Sequence, residues 1–175
     1  IDKILEIALE ILLFFRRKRK GKRTKGQVDE EIDLIVIHCS ASRADRDFTE
    51  TDLEVCHRRR GFNGIGYHFY IRKNGDIKTT RPIERIGAHA KGFNRTSIGI
   101  CYEGGLDCHG RPADTRTEWQ VHSMHVLVLT LLRDYPGCRV CGHRDLSPDL
   151  NGNGEIEPEE WVKACPCFDA EKEWA

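Results

Sequence analysis

The sequence has no stretch suited to crossing a bilayer. Its most apolar segment, residues 1–15 (IDKILEIALEILLFF), is too short and carries too many charges to span one. A clear signal peptide is also missing, because the basic residues follow this apolar run and no small-residue cleavage site appears. The chain has no net charge, yet eight of residues 16–25 are Lys or Arg and none is acidic. The neutral total therefore hides a basic tail on an acidic body. No aromatic residue interleaves that basic run, which argues against specific nucleic-acid recognition. The eight cysteines lack a regular spacing, so a disulfide framework is not compelled in a chain of 175 residues. Cys39 and Cys101 lie in apolar runs where a reduced thiol acts as a small hydrophobe, and folding in a reducing compartment is expected.

What is present reads as one domain with an appendage. Residues 1–31 are expected to form an amphipathic helix and a basic linker. Ile1, Ile4, Leu5, Ala8, Ile11, Leu12 and Phe15 share one face of that helix. A peripheral membrane contact through residues 1–25 is the sharper reading of this segment, and packing on the domain or a partner is the plainer one. Residues 32–175 form the expected main domain, a mixed α/β fold with a central mixed β-sheet flanked by helices. The β-branched run 32–39 reads as a buried strand. A helix is expected from Thr49 as N-cap to Arg60, with Gly61 just past its end. Residues 66–81 read as a hairpin with Asn74-Gly75 as a two-residue turn. Further strands are expected over 96–105 and 138–143. A long helix is expected over Thr117 to Tyr135, and a last helical turn or two over Glu159 to Ala164.

Eight histidines are many for this length. His57, His109, His122 and His125 are read as surface or core residues. His38 and His143 each end an apolar strand, where a rigid backbone can aim them at a sheet edge. Cys165 follows a loop that could return to that edge. A His/His/Cys set leaves a fourth position for water, as in catalytic zinc sites, where the metal lowers the pKa of that water to about 7. The rival is a structural four-cysteine site from Cys138, Cys141, Cys165 and Cys167. Spacing alone leaves the two level.

Five blocks in order break the tie: IHCSAS (37–42), GYHF (66–69), HAKGFNRTSIGICYEGG (89–105), GHRD (142–145) and KACPCFD (163–169). Together they resemble the type 2 N-acetylmuramoyl-L-alanine amidases, closest to the bacteriophage lysozymes of amidase activity, a fold shared with peptidoglycan recognition proteins. The resemblance runs from about Asp33 to Asp169. It implies hydrolysis of the amide between N-acetylmuramic acid and L-alanine in peptidoglycan. It further implies zinc on His38, His143 and Cys165, a catalytic Tyr67, and a Lys163 needed for activity. The non-enzymatic recognition proteins typically lose the zinc-binding cysteine, so Cys165 favours catalysis over a non-catalytic binding module. His68, His89, Asn94 and Thr96 are expected to face substrate. The biological setting implied is an enzyme made in the cytoplasm that acts on the wall, as a monomer.

One segment departs from the family pattern. Between His143 and Cys165 lies DLNGNGEIEPEE (149–160), which matches a calcium loop with Asp149, Asn151 and Asn153 at positions 1, 3 and 5. Gly154 stands at position 6, Glu155 at 7 and Glu160 at 12. The preceding Asp145-Leu146-Ser147-Pro148 reads as a turn, not as the helix such a loop normally follows. Calcium here would clamp the insertion that carries Lys163 and Cys165.

Overall fold

The computed structural model describes residues 31–175. The expected appendage, apart from Glu31, lies outside the described residues. Among the described residues no helix is long and apolar enough to cross a membrane.

The run LIVIHC forms β1 (Leu34–Cys39), buried along its whole length. Such a continuous run suits a strand covered on both faces, and β1 is accordingly flanked by parallel neighbours. These are β5 (Ser97–Tyr102) and β7 (Arg139–Gly142). On the far side of β5 come β3 (Phe69–Ile71) and then antiparallel β4 (Ile77–Thr79), giving the order β4-β3-β5-β1-β7. A separate short pair joins β2 (Ser42–Arg43) to β6 (Gly105–Leu106).

Helix α1 (Glu50–Arg59) starts at Thr49, whose hydroxyl accepts the Asp52 N–H while Asp52 accepts the Thr49 N–H. Helix α2 (Glu118–Asp134) repeats this capping box with Thr117 and Gln120. The two-residue period of the strands then separates two faces. Ile35, Ile37, Ile98, Ile100 and Ile71 join Met124, Leu127, Val128 and Leu131 of α2 in the main core. On the other face Tyr70 and Cys101 pack with Leu53 of α1, and Leu34, Val36 and Cys141 form a third cluster. His38 lies on this second face, at the carboxyl end of β1.

Three local expectations change. Asn74-Gly75 is not a two-residue turn: only Gly75 has positive φ, whereas the tight type I′ turn needs it at both central positions. Gly75 N–H instead bonds the Arg72 carbonyl and Arg72 N–H bonds Asp76, which closes a three-residue loop. The helical turn expected over 159–164 is only a 3-10 turn at Pro158–Glu160. Beyond it Trp161 lies under Arg144, 4.2 Å from guanidinium carbon to ring centroid, and Val162 N–H bonds Ser147 Oγ. These side contacts draw 161–164 out along the 144–147 segment. A short helix α3 (Ala170–Glu173), capped by Asp169, was not expected.

A buried carboxylate ties the sheet to the loop before α1. Glu103, fully buried, accepts from Phe48 N–H at 2.6 Å, Lys73 N–H at 3.0 Å and Arg72 Nε at 2.7 Å. Glu103→Ala leaves the Arg72 Nε–H and two amides without their acceptor, with only Glu50 still paired to Arg72, and is expected to destabilise the fold by about 3 kcal/mol. Urea unfolding of the variant measures this, and a loss well below about 1 kcal/mol would contradict the assignment.

Candidate metal centre

Parallel pairing of β1 with β7 sets Ile37 against Gly142, so the residues that follow, His38 and His143, meet at one sheet edge. His143 N–H continues the ladder to the Ile37 carbonyl at 3.1 Å. The imidazole rings of His38 and His143 lie 4.7 Å apart between centroids. Cys165 is held against them from two sides. Its carbonyl accepts Arg144 N–H at 2.8 Å, and its Sγ accepts Cys39 N–H at 3.2 Å. One donor atom from each of His38, His143 and Cys165 lies within 4.8 Å of the others, and His38 Nδ1 is 3.9 Å from Cys165 Sγ. A tetrahedral metal with M–N near 2.0 Å and M–S near 2.3 Å keeps its ligand atoms roughly 3.5 Å apart. The set thus fits a three-ligand metal site after small side-chain adjustment.

The other nitrogen of His38 is also engaged. His38 Nε2 lies 3.0 Å from His89 Nδ1, and His89 Nε2 lies 3.4 Å from Ser97 Oγ, which donates to the Phe93 carbonyl at 2.7 Å. Since that carbonyl can only accept, donation runs outward: Ser97 to carbonyl, His89 Nε2–H to Ser97, His38 Nε2–H to His89. This order leaves the His38 Nδ1 lone pair free on the side facing Cys165. An acceptor on the far nitrogen fixes both tautomer and ring orientation of a metal-binding histidine. Small residues make room for the relay: a Cβ on Gly99 would lie 2.6 Å from His89 Cγ.

Burial is the first cause that lowers the pKa of His38, well below 6.5, with His89, His143 and Lys163 adding to it. Burial and the nearby His68 push His89 down to about 3. His143 is lowered by burial and by Lys163. All three rings are therefore neutral at neutral pH, the form that binds metal. Tyr67 lies beside them, its ring centroid 4.9 Å from that of His38. Burial, reinforced by Cys101, Cys165 and Cys39, raises its phenol pKa well above 10, so it is held as an O–H donor. Lys163 is exposed and lines the mouth of a cleft of about 180 Å³ with His143, Val162, Lys91 and Phe93.

The four residues expected to face substrate make the following contacts. His68 is 1% exposed, accepts Gly99 N–H at Nδ1 and donates from Nε2 to the Arg85 carbonyl. Asn94 Oδ1 accepts the N–H groups of His89 and Ala90. The Thr96 carbonyl accepts from Asp33 and Leu34 at the start of β1. His89 lies behind His38. None of the four is among the residues that line the cleft beside Lys163.

The four-cysteine alternative is not assembled. Cys138 Sγ donates to the Ile32 carbonyl and Cys141 is buried with Leu34 and Val36, so neither reaches Cys165. Cys167 instead approaches Cys39, 3.9 Å between sulfurs. The 149–160 loop brings no comparable ligand set together among the described residues. Its side chains turn onto its own backbone: Asp149 accepts Gly152 and Gly154 N–H, and Glu160 accepts Leu150, Asn151 and Glu157 N–H.

The N-acetylmuramoyl-L-alanine amidase family model matches residues 28–166. The chain belongs to this family. The endolysin of Klebsiella phage KP32 is 33% identical over 145 residues, covering 83% of this chain and 87% of that protein. Among solved structures, the endolysin N-acetylmuramoyl-L-alanine amidase LysCS from Clostridium intestinale URNW superposes with a TM-score of 0.61 at 26% identity, covering 87% of this chain and 88% of that one. Drosophila PGRP-LB shares the fold, with a TM-score of 0.62 at 22% identity over 90% of this chain and 89% of that one.

The lowered histidine pKa values have a consequence for the metal-free amidase. In the unfolded chain these rings titrate near 6.5. Below that pH the unfolded chain binds protons that the folded protein refuses, so stability is full above it and declines on acidification. The melting temperature of the chelator-treated protein is expected to fall steadily from about pH 7 to about pH 5. A flat profile across that window would contradict the buried-neutral assignment.

Proposed function

We propose that this peptidoglycan amidase holds zinc through His38 Nδ1, His143 and Cys165 and cleaves the bond between N-acetylmuramic acid and L-alanine at that centre. The convergence of two neutral histidines and one thiol at the carboxyl ends of parallel strands is the observation that supports it most. Two nitrogens and a sulfur with an open side suit zinc better than the hard, oxygen-preferring cations. Zinc there would supply a water acidic enough to attack at neutral pH and would polarise the scissile carbonyl.

The protein side chains perform the remaining work. The Tyr67 hydroxyl, kept protonated, donates a hydrogen bond to the negative charge that develops on the carbonyl oxygen. Lys163, at the mouth of the cleft, adds positive charge beside the same oxygen and stands within reach of the departing amine. His89 keeps the His38 lone pair aimed at the metal. This chemistry draws on no side chain of residues 149–160. The wall is the site of action, and the basic run of residues 16–25 would favour anionic surfaces of the envelope.

The alternative is a module that binds peptidoglycan without cutting it. Cys165→Ser separates the two. The variant is expected to lose bound zinc and to release no stem peptide from purified cell walls, with activity down by about a thousandfold or more. Wild-type protein without zinc, or a variant that cuts walls at the wild-type rate, would reject the zinc amidase reading.

A further inference from the structure

One buried histidine outside the metal set holds the backbone beside Tyr67. His57 lies in the last turn of α1 and is 4% exposed. Its Nδ1 accepts the Gly66 N–H at 3.0 Å, so the neutral ring carries its proton on Nε2. The ring packs 5.4 Å from that of Tyr67 and 5.2 Å from that of Phe62. Gly66 has no freedom to move towards the other side. Its carbonyl accepts Ala88 N–H at 3.0 Å, and a Cβ at Gly66 would stand 2.2 Å from the Ala88 oxygen. One imidazole lone pair thus sits where the Tyr67 backbone meets the segment leading to His89.

An apolar side chain would fill this place between Tyr67 and Phe62 equally well. What it could not do is accept the Gly66 N–H. A buried amide without an acceptor is costly, and the peptide would turn to find another partner, carrying Tyr67 with it. Burial, with Arg60 nearby, lowers the pKa of His57 and keeps the acceptor unprotonated.

Building on the role proposed above for Tyr67, we infer that His57 is a positioning residue for the amidase reaction: its Nδ1 lone pair fixes the Gly66–Tyr67 backbone and so aims the Tyr67 hydroxyl at the scissile amide. The claim concerns the acceptor, not the ring.

Two variants separate acceptor from ring. His57→Phe keeps an aromatic ring against Tyr67 and Phe62 but has no acceptor. His57→Asn gives up most of the ring and places Oδ1 near the former Nδ1. Amide hydrogen exchange at Gly66 in the metal-free protein reads the hydrogen bond directly. Steady-state kinetics on a soluble N-acetylmuramoyl peptide, with zinc content measured, read its effect on the reaction. His57→Phe is expected to exchange Gly66 about tenfold faster and to lose about tenfold in kcat, with KM and zinc content held within about twofold. His57→Asn is expected to recover both readouts to within about threefold of wild type.

Wild-type kcat in His57→Phe, with Tyr67→Phe impaired, overturns this inference alone. So does a fall in His57→Asn as deep as that in His57→Phe, which would make the ring the working part. If His57→Phe does not fold, His57→Asn decides: near-wild-type activity supports the acceptor role, and a loss matching Tyr67→Phe rejects it. Full activity in Tyr67→Phe would overturn the role of Tyr67 itself, and this inference with it.

Discussion

The parallel pairing of β1 with β7 is the contact on which the metal centre depends. It brings the ends of two strands from distant parts of the chain to one edge, and His38 and His143 are the residues found there. The third donor, Cys165, is added by a return loop that hydrogen-bonds to both strand ends, through Cys39 N–H and Arg144 N–H. The opposite face of β1 packs into the core with α2, so the strand cannot shift by one residue without replacing His38 by Ile37 or Cys39 and turning His38 into the core. The apolar core therefore sets the register that brings His38 to His143 and Cys165.

Around this edge the histidines divide their tasks. His38 and His143 turn neutral rings towards the Cys165 thiol. His89 accepts from His38 and passes the polarity on through Ser97 to a carbonyl that can only accept. His57 and His68 each accept a backbone N–H, from Gly66 and Gly99 respectively. Burial disfavours the protonated form of His38, His57, His89 and His143, which matches what each is asked to do, because a protonated ring can neither accept nor coordinate at that nitrogen.

Much of this was legible in the residues themselves. The apolar run 34–37, the Thr49-capped helix closed by Gly61 and the long helix from Thr117 anticipate the mixed sheet and its helices. Spacing could not choose between His38/His143/Cys165 and a four-cysteine site. Composition is silent on which way a side chain points, and Cys141 points into the apolar cluster of Leu34 and Val36. The family motifs favoured the histidine set, and the strand pairing supplies the geometry that composition lacks. The same motifs point to His68, His89, Asn94 and Thr96 as substrate contacts, and what the structure adds is that His68 and Asn94 also bond backbone and His89 also bonds His38. His57 was read as a surface or core histidine. Its signal lay in distance across the chain, a helix-end histidine meeting Gly66 nine residues later, which no periodicity shows. The 159–164 helix failed because Glu160 and Trp161 have stronger partners elsewhere, in the loop amides and Arg144.

The central claim concerns the atoms that hold the metal, and X-ray absorption at the zinc edge of the purified protein tests it most directly. The account predicts a first shell of one sulfur near 2.3 Å and two imidazole nitrogens near 2.0 Å, with a light-atom ligand completing the tetrahedron. A shell of four sulfurs, or one without sulfur, would contradict it.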